Sequence, residues 1–426
     1  MSTRSFVVDA LARVEGEGAM HVTLRDGKVE DVRLRIYEPP RFFEAFLRGR
    51  RFTEVPDITA RICGICPVAY QVSSIAAMED ACGAQPSPAV RDLRRLIYCG
   101  EWIESHTLHV FMLHAPDFLG FDSAFEMARD HREVVEGALR LKQLGNELMR
   151  VIGGREIHPI NLRVFYRAPE REELAAVGRR LEQQLEFARA AVRFAAALPA
   201  PELEQDYEFV ALTEPDRYAI ESGRLASTSG LDLGPHDYPQ RFVEEQVEHS
   251  TALHSRLRDG GSYLVGPLAR YALSSDKLSP LAREAAAEAG LGPVCRNPYR
   301  SIVVRAVEIL YALEEAVRLI DAYEPPVSME VAPRRGAGAG WSEAPRGLLW
   351  HRYEIDAGGV IRDARIVPPT SQNQLRVEQD LRDCVERFQA LPDDELRIRC
   401  EQTIGNYDPC ISCATHFLEL TVERRA

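Results

Sequence analysis

Two Cys-x-x-Cys pairs stand near opposite ends of this chain, Cys63 and Cys66 in RICGIC and Cys410 and Cys413 in DPCISCATH. Two such pairs supply the four thiolates of a tetrahedral sulfur cage, the coordination that soft and borderline transition metals favour. A zinc ribbon keeps its pairs within a few tens of residues, because the metal itself must organise a small fold. Here about 340 residues lie between the pairs, so a large core formed first must carry one pair to the other. Either pair alone is equally compatible with a structural zinc site or a chance spacing. Together, at this separation, they point to a catalytic centre.

The other cysteines, Cys82, Cys99, Cys295, Cys384 and Cys400, are isolated and read as buried structural thiols. An odd total of nine over 426 residues is no disulfide framework. No further Cys-x-x-Cys set remains for an iron-sulfur cluster. A hydrophobic content of 45% allows a large buried core, and a net charge of −13 with pI near 5.5 argues against a phosphate-binding surface, so no nucleic acid is expected as partner. No apolar run approaches the roughly 18–20 residues of a membrane span, and the start MSTRSFVVDA lacks a signal-peptide core. A cytoplasmic protein with no membrane span is expected.

From Phe6 to Ile36, short alternating runs broken at Gly16, Gly18 and Asp26–Gly27 predict a small antiparallel sheet. Beyond it, apolar residues recur at three and four in segments 87–114, 122–151, 169–198, 239–258 and 299–323, which predicts long amphipathic helices. Ser87 before Pro88 and Asp122–Ser123 are candidate N-caps, and Gly153–Gly154 is a candidate stop. RRGAGAGW (334–341) is too glycine-rich for a helix and is expected to be a loop, while 347–369 alternates around Gly358–Gly359 like a hairpin. The expected fold is α+β and mainly α: a central bundle of long helices with small antiparallel sheets at its periphery. It is read as one domain over 1–426, with a sheet region at 1–37, a helical metal-binding core at 38–416 and a maturation tail at 417–426.

The motifs, taken in order, resemble the large, catalytic subunit of a cytoplasmic nickel-iron hydrogenase. They are RVEG (13–16), the Glu44–Arg50 stretch leading into RICGIC, GGR followed by HP (153–159), YLVGPLAR (263–270), EAPRG with a downstream His351, PPTSQNQ (368–374) and DPCISCATH. The resemblance spans Arg13 to His416. It implies Cys63 and Cys410 as terminal thiolates on nickel, with Cys66 and Cys413 bridging nickel to an iron that carries carbon monoxide and cyanide. It implies Glu15 in proton transfer, since splitting dihydrogen heterolytically needs a proton exit from a sulfur-rich site. Arg346 would stand over the open metal position as a permanent cation, held by Asp408. Glu44 and His416 would bind a magnesium or iron ion with waters and a backbone carbonyl. The plainer readings are a surface strand carboxylate for Glu15, a packed loop arginine for Arg346 and an exposed helix glutamate for Glu44.

Three positions and one segment depart from the resembled pattern. Glu17 replaces a histidine, so a proton relay would differ one step outward from Glu15. Ser105 replaces a carboxylate that would also hold Arg346. Tyr70 replaces a histidine near the bridging sulfur; a phenol donates a hydrogen bond but does not become a cation. NLRVFYR (161–167) lacks the double glycine often found after HP. His106, His109 and His114 read as core histidines.

The resemblance implies reversible dihydrogen oxidation, with electrons passed to an iron-sulfur small subunit docked near the N-terminal sheet and the RICGIC loop. Diaphorase-type flavin and iron-sulfur subunits would carry them on to NAD or NADP, which this chain does not bind itself, for it has no Gly-x-Gly-x-x-Gly after a strand. Service to heterodisulfide reductase or a deazaflavin is the alternative. A hydrogen-sensing regulator and a complex I-like coupling subunit are more distant, the latter having lost the four cysteines. Nickel-insertion proteins and an endopeptidase that removes FLELTVERRA after His416 are the implied maturation partners.

Overall fold

The computed structural model describes residues 3–163, 167–327 and 331–416. The expected N-terminal sheet is present: Thr3–Val8, Gly18–Arg25 and Lys28–Ile36 pair antiparallel in that order, the last two joined by a tight turn at Asp26–Gly27. Period-two alternation buries Val32, Leu34 and Ile36 and turns Arg33 and Arg35 outward.

The helical core is built around Ser301–Asp321, whose sequence SIVVRAVEILYALEEAVRLID is apolar on more than one face and is buried along most of its length. Pro88–Thr107, Arg171–Glu182 and Leu185–Ala196 pack against it, and Arg132–Gly153 packs on Pro88–Thr107. Ser87 and Ser123 cap as expected, accepting from Val90 N and Glu126 N. Gly154 closes Arg132–Gly153 in the left-handed conformation.

Several predicted helices are interrupted. Segment 87–114 is regular to Thr107 and then widens into a π-helix over Leu108–His114, just before Pro116, whose missing N–H and ring break the regular ladder. Segment 122–151 is a short helix, Ala124–Met127, and a long one from Arg132; 169–198 is two helices that meet at Gln183–Gln184. Both of the latter lie on the Ser301–Asp321 helix, so the bend keeps two apolar faces on one partner.

Two expectations are corrected. Segment 239–258 is not a helix but a single turn, Tyr238–Arg241, followed by the hairpin Phe242–Glu245 and His254–Leu257. Its three-and-four spacing includes β-branched Val243, Val247 and Thr251, and tertiary pairing outweighs the period: Thr251 N donates to Ile36 O at 2.9 Å. RRGAGAGW is not a loop, because Gly336–Ala344 is a strand. A side chain at Gly338 or Gly340 would run into the backbone of Ala77, the Cβ meeting its O at 2.1 Å and its N at 2.5 Å respectively. The glycines therefore let the strand lie directly on the Pro67–Cys82 helix. The 347–369 hairpin forms as expected, giving a sheet in the order 361–367, 347–355, 336–344. The tail at 417–426 and residues 164–166 of NLRVFYR lie outside the described residues.

Candidate metal centre

The two cysteine pairs meet. Cys63 Sγ lies 3.5 Å from Cys410 Sγ, Cys66 Sγ 4.0 Å from Cys413 Sγ, and Cys410 Sγ 2.8 Å from Cys413 Sγ. All four sulfurs lie within 4.8 Å of one another and all four residues are buried. The first pair is placed by the Pro67–Cys82 helix, which begins immediately after Cys66 and whose first turn is pinned by Glu101. This buried carboxylate accepts from Val68 N at 2.6 Å and Ala69 N at 3.1 Å. In the second pair Cys410 precedes the turn Ile411–Ala414 and Cys413 lies within it, with Cys410 N donating to Thr370 Oγ1 at 3.1 Å.

The electrostatics fit a cation at the centre of this cage. Hydrogen bonding from Cys410, then Cys413 and Cys66, holds the Cys63 thiol well below the ordinary thiol range, whereas burial pushes Cys413 up. Four buried sulfurs this close do not all ionise without positive charge among them. The donor set is all-thiolate, which selects soft and borderline metals over magnesium or calcium.

Glu15 reaches the cage from the N-terminal segment, bridged to Cys410 through the backbone, Ile411 N donating to Glu15 O at 2.9 Å. Its Oε2 accepts from Cys410 Sγ and from Ser412 N, both at 3.1 Å. Glu17 is exposed, and its N–H donates to Glu38 Oε2 at 3.3 Å.

Arg346 is buried and ends in three hydrogen bonds: Nε to Asp408 O (2.7 Å), Nη2 to Asp408 Oδ1 (3.0 Å) and Nη1 to Ser105 Oγ (3.4 Å). Burial opposes its charge, but Asp408 and the sulfurs of Cys410, Cys66 and Cys63 outweigh burial and keep it cationic. Its backbone is clamped at Gly266 and Gly347, both at positive φ, where a Cβ would meet Arg346 O at 2.8 Å and Val265 Cγ2 at 2.7 Å.

Tyr70 is buried, and its hydroxyl has no hydrogen-bond partner among the described residues. Burial first, then the cysteine sulfurs, push it well up, so it stays a neutral phenol. His351 lies 5.7 Å from the Tyr70 ring and bonds Tyr353 through Nδ1 at 2.7 Å. Glu44 and His416 sit on the far side of Cys413, in a cavity also lined by Arg41, Glu244 and Ser412. His416 Nε2 is 3.0 Å from Glu44 Oε2, and Glu44 Oε1 accepts from Ile366 N at 2.7 Å. His106, His109 and His114 are buried against Glu308, Gly405 O and Asn406, away from any metal-ligand group.

Sequence reading missed the charged residues that support this site. Arg270 donates to both oxygens of Glu308 (2.8 Å each), to Glu343 (3.0 Å), and to Ala344 O and Pro345 O, which fixes the loop that presents Arg346. Arg270 and Glu343 stand inside YLVGPLAR and EAPRG, and Glu308 interrupts an apolar helix. A charge within an otherwise buried run is the available signal for such pairs.

A model of the nickel-dependent hydrogenase family matches residues 41–159 and 263–416. Sulfhydrogenase 1 subunit alpha of Pyrococcus furiosus is 33% identical over 97% of this chain and 98% of its own length. The NAD-reducing hydrogenase HoxS subunit beta of Cupriavidus necator is 28% identical over 98% and 95%. A crystal structure of an NAD+-reducing [NiFe]-hydrogenase in the H2-reduced state superposes with a TM-score of 0.87, at 28% identity, over 98% of this chain and 100% of that one. The chain belongs to the nickel-dependent hydrogenases and is the large subunit of a nickel-iron hydrogenase.

Proposed function

We propose that this subunit oxidises dihydrogen reversibly in the cytoplasm and passes the electrons through an iron-sulfur small subunit, and then through diaphorase-type flavin and iron-sulfur subunits, to NAD or NADP. The observation that carries the reading is one constellation: four buried thiols, a carboxylate 3.1 Å from one of them, and a buried guanidinium beside them. Cys63 and Cys410 would hold nickel alone, and Cys66 and Cys413 would bridge it to an iron bearing carbon monoxide and cyanide. When bound, that centre supplies heterolytic cleavage of dihydrogen and uptake of the electron pair. The chain's own residues do the rest. Cys410 Sγ hands a proton to Glu15 Oε2 along their 3.1 Å contact, and the exposed Glu17 and neighbouring Glu38 offer the next carboxylates outward. Arg346, anchored by Asp408, polarises a small ligand without titrating. Glu44 and His416 would hold magnesium or iron behind Cys413, tying the C-terminal segment to the core.

The NAD or NADP assignment is supported by the 0.87 superposition on an NAD+-reducing enzyme. A relay partner fits the finding that, among the described residues, the cage is the only cysteine group that could hold a metal. Val7, Tyr37, Phe42 and Phe46, on the N-terminal sheet and the segment before RICGIC, are each 38–54% exposed, and the small subunit would dock on this side. Processing by an endopeptidase after His416, following nickel insertion, would make that histidine, 3.0 Å from Glu44, the C-terminal residue.

Glu15→Gln tests the proton step. The amide oxygen still accepts from Ser412 N–H, so nickel content and the infrared bands of the iron ligands should stay unchanged while turnover falls by about 10²–10⁴-fold. Loss of the bands would make Glu15 a structural residue; unchanged turnover would remove it from the proton path.

A further inference from the structure

A second group of metal-ligating side chains lies apart from the cage. His249 lies in the connection between strands Phe242–Glu245 and His254–Leu257, His254 opens the second of these strands, and Glu378 lies on the helix Pro369–Phe388; one ligand atom from each lies within 4.8 Å of the others. His249 Nε2 is 2.8 Å from Glu378 Oε1, which also accepts from Leu34 N at 2.9 Å. His254 is 6% exposed, and its Nδ1 is 3.9 Å from Glu378 Oε2, too far for a hydrogen bond. Its buried Nε2 has no hydrogen-bond partner among the described residues. Neither ring nitrogen of this buried imidazole is hydrogen-bonded to Glu378, which is costly, and coordination through Nδ1 gives that nitrogen the partner Glu378 does not supply.

We propose that His249, His254 and Glu378 bind one divalent cation of the zinc class. Two imidazoles and a carboxylate are a donor set that suits zinc and its first-row neighbours, unlike the all-sulfur cage. Bonds of 2.0–2.2 Å in a tetrahedron space donor atoms about 3.4 Å apart, so the 3.9 Å from His254 Nδ1 to Glu378 closes, and the 2.8 Å from His249 Nε2 to Glu378 opens, by about half an ångström each.

The place of the site gives it a consequence. Between the two histidines lie Thr251, which donates to Ile36 O (2.9 Å) and accepts from His416 N (3.0 Å), and Ala252, which bridges to Thr415. A cation held by His249, His254 and Glu378 ties this receiving loop to the N-terminal sheet and to the Pro369–Phe388 helix. It thereby stiffens the seat of the segment that ends at His416.

The test uses the assembled enzyme, treated with a chelator and then titrated with Zn²⁺ alone against a zinc-responsive dye, with E378Q and H249N compared at equal nickel content. The glutamine of E378Q still accepts from Leu34 N–H, and His249 is part-exposed, so both variants should fold. Wild type should take up one Zn²⁺ that each variant binds more than about tenfold more weakly, and Zn²⁺ should slow amide exchange at 250–252 and 415–416 in wild type only. Equal zinc affinity in wild type and both variants, or no saturable uptake by wild type, overturns the proposal. Because all three proteins are matched for nickel, failure here is distinct from failure at the sulfur cage.

Discussion

Asp408→Asn isolates the contribution of charge to the anchoring of Arg346. Asp408 is the carboxylate paired with this guanidinium and also bears on Arg305; Asp408 and Arg346 are 3% and 2% exposed. Asparagine keeps the shape, one acceptor oxygen and tolerance of the left-handed backbone at φ 51°, while it removes the charge and puts an NH2 donor in place of the second oxygen. Breaking a buried pair from one side costs about 3–5 kcal/mol, because the remaining charge is left uncompensated. With an unfolding entropy near 2.1 cal/mol/K per residue, a 426-residue chain has roughly 0.9 kcal/mol/K, so the melting temperature should fall by about 3–6 °C. Asp408→Ala loses the acceptor as well and adds about 1 kcal/mol of left-handed strain, so it should melt lower still. Scanning calorimetry at matched nickel content measures both variants, and hydrogen-dependent dye reduction should fall with them by up to about 100-fold as Arg346 loses its position. An Asn variant that melts with wild type and turns over normally would refute the claim that the ion pair holds Arg346 in place.

Gly338→Ala should destabilise the fold by several kcal/mol or abolish soluble expression, because its Cβ would meet Ala77 O at 2.1 Å; a chain of wild-type stability in urea unfolding would show that the strand does not lie on that helix. Glu104, paired with Lys142 at 2.8 Å, is pushed up to about 7, by burial first, with Lys142 opposing. Its folded pKa is raised, so the stability it contributes is complete below about 4.5 and is lost as pH rises through about 7. A carboxylic acid infrared band should titrate near pH 7 and be missing in Glu104→Gln, whose stability should fall less between pH 5 and 8 than that of wild type. A band titrating near pH 4 would contradict the burial argument.

The convergence of the four cysteines was legible because two such pairs make one sulfur cage, and pairs so far apart meet only inside a large fold. The long helices were legible from period and caps, as at Ser87 and Gly154. What could not be read depended on partners distant in sequence. The glycines of 336–340 look like a loop until the helix beneath them is known, and the 242–257 hairpin follows from a strand more than 200 residues earlier. The pairing of Arg270 with Glu308 and Glu343 was hidden for the same reason, since nothing local says which buried charges face each other. Ser105 was located at Arg346 only through the resemblance, and the 3.4 Å contact shows what stands there in place of a second carboxylate.

Metal analysis joined to infrared spectroscopy of the purified, assembled enzyme tests the sulfur cage most directly. The account predicts one nickel per large subunit, lost when Cys410 is replaced by serine, together with cyanide and carbonyl stretches from the iron beside it. Zinc in place of nickel, with no such stretches, would contradict it.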